Sequence, residues 1–261
     1  MIPAIITARG GSKRIPRKNV KPFCGLSLLE WTIIQTQCSH HFDEVFLSTD
    51  DEQIAEIGKN YGVKIIWRTG IATGDISCGY VVVHAIQEIE KQGYEFDRMS
   101  NILPTLVCRH PNDFDRVIAA YERMEDTVNV VAGRYCPKEI LVSEKASWRD
   151  DGDYCFPVIG NTHHRYYVGN ACVAIAMKSF FIDHVLQPSK EKMTDSALTL
   201  RYEMYGWDSP MHFNIGVIET KWYQQFDIDN QDDWELCEWL FEKYILKGRG
   251  AKVYYDYKET K

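Results

Sequence analysis

The chain has 261 residues, 45% hydrophobic and 26% charged, with a formal net charge of −7. That length predicts one large domain, or a domain with a lobe, with enough chain to bury a sizeable core. The acidic balance argues against bulk nucleic-acid binding, and no apolar run approaches the roughly 20 residues of a membrane span.

Eight cysteines, at 24, 38, 78, 108, 136, 155, 172 and 237, are scattered without a C-x-x-C pair. This argues against a zinc site or a disulfide scaffold, and several of them read as core thiols. Met1-Ile2-Pro3 enters a strand with no signal peptide, so a reduced, cytoplasmic protein is expected.

Ile2 to Ile6 reads as a buried strand. Ser27-Leu28-Leu29-Glu30 is an S-x-x-E capping box that opens an amphipathic helix to Cys38, with Leu28, Leu29, Ile33 and Ile34 inward. Glu44 to Ser48 is a strand, and Thr49-Asp50-Asp51 caps a helix carrying Ile54, Ile57 and Tyr61 that ends at Gly62. Val63 to Trp67 is a strand. Asp75 to Gly79 leads into a helix with Val81, Val82, Ala85, Ile86 and Ile89, stopped by Gly93. Met99 to Leu103 is a strand, Pro111 to Met124 a helix and Thr127 to Ala132 a strand. This alternation predicts an α/β fold with a mostly parallel, doubly wound, Rossmann-like sheet, ligands binding at the carboxyl ends of its strands.

The rhythm breaks from Gly133 to about Asn170, where a hairpin is expected over Glu139 to Arg149. Ala171 to Met177 is a strand, Ser179 to Val185 a short helix and Phe213 to Ile218 a strand. Asn230 to Leu246 is a helix with Trp234, Cys237, Leu240, Phe241 and Tyr244 buried. Lys247 to Lys261 is expected to fray or add an edge strand. Residues 1–132 and 179–261 thus read as a nucleotide-binding core and 133–178 as an inserted lobe.

The most informative stretch is Ala8-Arg9-Gly10-Gly11-Ser12-Lys13-Arg14-Ile15-Pro16-Arg17-Lys18-Asn19. Arg9 to Lys21 holds six Lys or Arg and no acid. Two like charges about 4 Å apart cost roughly 4 kcal/mol at an effective dielectric near 20, so such crowding makes sense around a strongly anionic ligand. The glycine pair lets the backbone approach that ligand. A solvated basic loop or a nucleic-acid patch is the alternative. The stretch is neither a Walker A loop nor a G-x-G-x-x-G fingerprint.

In Asp227-Ile228-Asp229, an extended backbone points both carboxylates to one side, a pairing that suits Mg²⁺; alternatively the two acids belong to the cap of the following helix. Arg68, Asp75, Ser77 and Asp50 stand at strand ends or helix starts, where each reads either as a ligand contact or as an ordinary surface or capping residue.

The Ala8 to Asn19 string closely resembles the first motif of the acylneuraminate cytidylyltransferases, which make CMP-activated sialic and related nonulosonic acids. The resemblance implies the nucleotide-diphospho-sugar transferase type of fold, a homodimer formed through the 133–178 lobe, and substrates CTP and a sugar acid rather than nucleic acid or membrane. The lobe reaches the partner's site or covers its own. Carried over by position, Ala8, Arg9, Gly10, Gly11, Ser12, Lys13, Lys18, Asn19, Asp50, Arg68 and Ser77 are nucleotide contacts, with Arg14 fitting the same electrostatics. Asp227 and Asp229 match the family's I-D-I-D-type metal motif, with Phe226 replacing the first isoleucine.

Pro104-Thr105-Leu106-Val107-Cys108-Arg109 resembles the family's Q-P-T-S-P-L-R loop, with Leu103 where glutamine is usual. Thr105 and Arg109 are kept and become candidate sugar contacts. Tyr166 to Ala171 lies where the family has an arginine before P-N-G-A. Tyr167 stands at the arginine position, so Arg165, Tyr167 and Asn170 are the remaining sugar candidates. His163, His164 and Tyr166 join them as a binding wall or a packed loop.

The implied reaction is in-line attack of an anomeric 2-hydroxyl on the α-phosphorus of CTP, releasing pyrophosphate. Arg9 and Lys18 take the developing charge, and Mg²⁺ on Asp227 and Asp229 bridges phosphate and hydroxyl. Asp229 is the base, directly or through the metal. A Kdo-type or other sugar acceptor, or a non-catalytic CTP-binding relative, are the competing readings.

Overall fold

The computed structural model describes residues 1–69, 78–123, 127–136, 166–178 and 214–248, together with 252, 254 and 256. The expected hairpin over 139–149, the helix over 179–185, and Asp75, Ser77, His163, His164 and Arg165 lie outside these residues.

Nine strands are described: β1 (Pro3–Thr7), β2 (Pro22–Phe23), β3 (Leu26–Ser27), β4 (Glu44–Thr49), β5 (Lys64–Trp67), β6 (Arg98–Ile102), β7 (Thr127–Cys136), β8 (Tyr166–Met177) and β9 (Asn214–Glu219). Seven form one sheet in the order β5-β4-β1-β6-β8-β7-β9, while β2 and β3 make a small separate ribbon. β5, β4, β1 and β6 run parallel. β8 is antiparallel to both its neighbours, and β9 lies parallel to β7. The mostly parallel α/β architecture is therefore as expected.

The helices are α1 (Leu28–Gln37), α2 (Glu52–Asn60), α3 (Cys78–Lys91), α4 (Asp113–Tyr121) and α5 (Gln231–Leu240), the last continuing as a π-helical turn over Phe241–Leu246. β1 alternates its apolar residues between two faces, as a strand buried on both sides must. Ala4 and Ile6 join Leu29, Ile33, Ile54, Phe114 and Val117 beneath α1, α2 and α4. Ile5 joins Phe46, Ile66, Val82, Ile86 and Met99 beneath α3.

A second core, apart from the two faces of the sheet, packs on the far side of α1, where Leu28, Trp31 and Ile34 meet Phe23, Ile228, Trp234, Leu240, Phe241 and Tyr254. Helix α1 is therefore buried on two sides rather than one. Its inward polar groups are satisfied locally: Thr32 and Thr36 donate to carbonyls one turn back, and Gln35 Nε2 donates to the Val107 carbonyl. The Ser27–Glu30 capping box forms as expected. This second core fixes the end of the chain to the start, and so brings Ile228 beside the basic loop.

Two expectations need revision. β7 runs on to Cys136, and β8 begins at Tyr166 and lies inside the central sheet, so the 133–178 segment is rooted there by both its ends. The tail is not a frayed polar end, since Lys252, Tyr254 and Asp256 are helical. Tyr254 is fully buried and its hydroxyl donates to the Arg109 carbonyl at 2.9 Å. Among the described residues, Cys108 and Cys237 are buried core thiols and Cys78 is exposed.

Candidate active site

The carboxyl ends of β1, β4, β5 and β6 share one edge of the sheet, with Thr7 opposite Ser48, Thr49 opposite Trp67 and Ile6 opposite Ile102. The chain leaves β1 towards β4 on one side and meets β6 on the other. A crevice opens at such a reversal, between the loops after β1 and β6. The basic loop enters it directly from β1.

That loop is tied down at several points. Ala8 N–H donates to the Ser48 carbonyl and Ser12 N–H to the Gly10 carbonyl, both at 3.0 Å. Gly10 N–H donates to Asp50 Oδ1 at 2.9 Å. A side chain at Gly10 would place its Cβ 2.9 Å from that of Asp51, so this glycine is required by close approach. At Gly11 a Cβ would meet open space. Asn19 is buried and its amide donates to the Arg9 carbonyl at 2.9 Å, so it shapes the loop from beneath.

Asp50 is not the helix cap. Asp51 caps α2 through Ile54 N–H, which leaves the Asp50 carboxylate to the Gly10 amide. Arg68 is buried at the end of β5, where Nε donates to Ser48 Oγ at 3.2 Å and Nη2 to the Ser48 carbonyl at 3.1 Å. Burial lowers its pKa, against the pull of Asp50.

The acidic motif faces this loop. Ile228 is fully buried in the second core, and its flanking acids stay open to solvent, Asp227 more than Asp229. Ile228 N–H donates to the Thr105 carbonyl at 3.1 Å, and Lys18 Nζ donates to the Ile228 carbonyl. Asp229 Oδ1 lies 4.0 Å from Lys18 Nζ, and Asp229 Oδ2 lies 3.3 Å from Arg14 Nη1. The motif is thus clamped between the loop after β1 and the loop after β6.

Helix α5 takes its cap elsewhere. Asn230 accepts from Asp233 N–H, and Asp233 accepts from the backbone of Asp229 and Asn230. The side chains of Asp227 and Asp229 are therefore free of capping duty. Asp227 accepts from the Thr105 side chain, which lowers its pKa, but partial loss of hydration first and Asp229 second push the carboxyl above the usual range. The side chain keeps contact with solvent, which screens that push. Burial likewise lowers the Lys18 ammonium, against the pull of Asp227 and Asp229.

A divalent cation fits this pair chemically. Two hard oxygen donors flank one buried residue, and positive charge would relieve the repulsion between Asp227 and Asp229. Among the described residues no group of three or more His, Cys, Asp or Glu could enclose a metal. The other ligands would then be phosphate and water, which is the habit of Mg²⁺.

The sugar candidates fare differently. Thr105 is engaged with Asp227 and Ile228. Arg109 corrects the expectation: it is fully buried, its guanidinium donating to Gln35 Oε1 at 3.2 Å and to the Leu103 carbonyl at 2.6 Å. It holds the β6 loop from inside and does not face the cleft. Arg109→Ala should therefore destabilise the fold by on the order of 3 kcal/mol, from the cavity and the stranded carbonyls. Urea unfolding measures this, and an unchanged midpoint would restore a surface role. Tyr167 and Asn170 lie on β8, where Tyr167 is registered with Tyr135.

Sequence reasoning missed Arg17 and Asp51. Arg17 adopts a left-handed backbone (φ 56°) and its guanidinium makes two hydrogen bonds to the Asp51 carboxylate. The available signal was the second acid of Asp50-Asp51, set opposite an excess of cations.

A family model described as cytidylyltransferase matches residues 3–148. The N-acylneuraminate cytidylyltransferase A of Danio rerio is 37% identical over 117 residues, which are 45% of this chain and 26% of that protein. The pseudaminic acid cytidylyltransferase of Campylobacter jejuni is 40% identical over 103 residues, 39% of this chain and 44% of that one. The chain thus spans less than half the length of either relative. A solved CMP:2-keto-3-deoxy-manno-octonic acid synthetase, complexed with CTP, superposes with a TM-score of 0.67 over 93% of this chain and 99% of that one. At 16% identity that likeness speaks for the fold alone. The matched stretch carries the basic loop, the Asp50 turn and the Thr105 loop, one wall of the crevice and much of the sheet that shapes it, and by it the chain belongs to the cytidylyltransferase family.

Proposed function

We propose that this protein transfers CMP from CTP to the anomeric hydroxyl of a sialic-acid-like 2-keto-3-deoxy sugar acid, releasing pyrophosphate. The observation that carries this reading is the clamp in which Lys18 grips Ile228 between two acids. It sets a cationic loop against a carboxylate pair at the sheet's carboxyl edge, the arrangement a polyphosphate and a divalent ion need. The names of the two relatives support the substrate class.

In this reading Gly11, Ser12 and Lys13 line the triphosphate path, with Arg9 and Lys18 taking the charge that develops as the bond from the α-phosphorus to its bridging oxygen breaks. The attacking hydroxyl loses its proton to Asp229. Asp227 and Asp229 would hold Mg²⁺, which when bound supplies charge neutralisation and acidifies a neighbouring hydroxyl. Positioning and electrostatics carry the rate, as in other phosphoryl-type transfers. The lobe rooted in β7 and β8 supplies the dimer contact and the sugar wall, including Tyr167 and Asn170. No helix among the described residues is long and apolar enough to cross a membrane.

Leu103 replaces the glutamine that the family sets before the Pro-Thr pair, so a panel of acceptors is the decisive experiment. Pyrophosphate release from CTP and Mg²⁺ is compared for neuraminic, legionaminic, pseudaminic and Kdo-type acids. Release with a nine-carbon acid, with a CMP-sugar formed in step, is expected. CTP binding without release for every acid would favour the non-catalytic reading. Release with the Kdo-type acid alone would move the acceptor to that class.

A further inference from the structure

Arg17 and Asp51 lie outside every contact proposed above, yet they join the basic loop to the strand end beneath it. Arg17 Nη2 donates to Asp51 Oδ1 at 3.0 Å and to Gln53 Oε1 at 2.6 Å, while Nη1 donates to Asp51 Oδ2. The paired contact raises the arginine pKa and lowers that of Asp51. Asp51 meanwhile caps α2, and its carboxylate packs against Gly10 where no side chain would fit. One carboxylate thus registers three things: the start of α2, the path of Gly10 and the position of Arg17.

Arg17 also stands one residue before Lys18. Its left-handed backbone is uncommon for a residue with a Cβ, and persists where surroundings over-determine it. It opens the single 3₁₀ turn Lys18–Val20, with Val20 and Lys21 N–H both donating to its carbonyl. The direction in which Lys18 leaves the chain is therefore set at Arg17. We infer that Arg17 and Asp51 form a clasp that fixes the basic loop before any ligand arrives, aiming Lys18 Nζ at the Ile228 carbonyl and holding Gly10 in register. These are positioning residues. Their consequence for nucleotide affinity rests on the proposed function, whereas the clasp itself does not.

The physical gain is preorganisation. A loop this rich in like charge would otherwise spread, and ordering it on binding would subtract from affinity. A bidentate arginine–carboxylate contact supplies direction as well as attraction, which a lysine at the same place would not.

Arg17→Gln and Asp51→Asn test this, singly and together. Asparagine keeps the α2 cap, so the second variant removes the charge without removing the helix start. Hydrogen exchange on the ligand-free protein should show faster amides from Gly10 to Val20 in each single variant, with α2 unchanged and the double variant no faster than the singles. CTP affinity should fall about tenfold in each, again without addition in the double, as expected of two residues in one contact. Arg17→Gly relaxes the backbone but should loosen the loop as much. Unchanged exchange in Arg17→Gln, or additive effects in the double variant, would overturn the clasp. A lower melting temperature with CTP affinity intact would leave a merely structural contact and overturn its positioning role. If the wild type bound no CTP, the proposed function would fail, and the exchange data would still decide the clasp.

Discussion

Asp229→Asn should lower pyrophosphate release by about 10²–10³ while the protein stays folded. The fold persists because α5 is capped by Asn230 and Asp233, and only the Asp229 backbone takes part there. What the substitution removes from the resting protein is a pair of contacts to Arg14 and Lys18, of which the Arg14 contact is largely exposed. Exposed ion pairs of that kind contribute about 0.2–1 kcal/mol. Asp227→Asn should be as damaging to turnover and gentler on the fold. Its side-chain oxygen still accepts from Thr105, and the charge it deletes is one that burial and Asp229 disfavour.

The sign follows from linkage. A carboxyl whose folded pKa is raised favours the native state most below its unfolded value, near 3.8, and that contribution is lost as pH rises through the folded value. At neutral pH Asp227 therefore carries a penalty that asparagine lacks. Melting curves without divalent ions should place Asp227→Asn at or above the wild type, and added Mg²⁺ should stabilise the wild type but not the variant. Near-normal pyrophosphate release from either substitution would remove that acid from the reaction. Collapse of the fold in Asp229→Asn would show that the acid serves structure instead.

Much of this site was legible in the sequence because its parts are local. The glycine-and-cation string, the S-x-x-E box and the D-x-D spacing each state their chemistry within a few residues. The doubly wound sheet was legible for the same reason, since each strand and helix from Ile2 to Tyr121 carries its own period and punctuation. What escaped was set by distant partners. Nothing near Arg109 tells that Gln35 and the Leu103 carbonyl will draw its guanidinium inward. Nothing in the polar tail tells that Tyr254 will complete the core behind α1. The antiparallel entry of β8 between β6 and β7 is likewise a matter of topology, which alternation alone does not fix. Asp50 and Asp51 show the limit most closely. Adjacent acids read alike, yet one receives Gly10 and the other caps a helix and holds Arg17.

Lys18→Met should cost about as much in turnover as loss of Asp229, roughly 10²–10³, with most of it in kcat. Methionine fills the same volume but cannot donate to the Ile228 carbonyl or neutralise phosphate. Arginine should not rescue, because a planar fork cannot take the place of a compact ammonium wedged between Asp229 and a backbone carbonyl. The alkaline limb of stability offers an independent check. Burial depresses the Lys18 pKa below its ordinary 10.5, so between the folded value and 10.5 the unfolded chain binds more protons and stability rises with pH. Lys18→Met should flatten that rise. A variant that kept the rise would place the titrating ammonium elsewhere, and one that kept its kcat would detach Lys18 from the transferring phosphate. If both changed together, a single partly buried charge would account for the join between the two ends of the chain and for the chemistry carried out there.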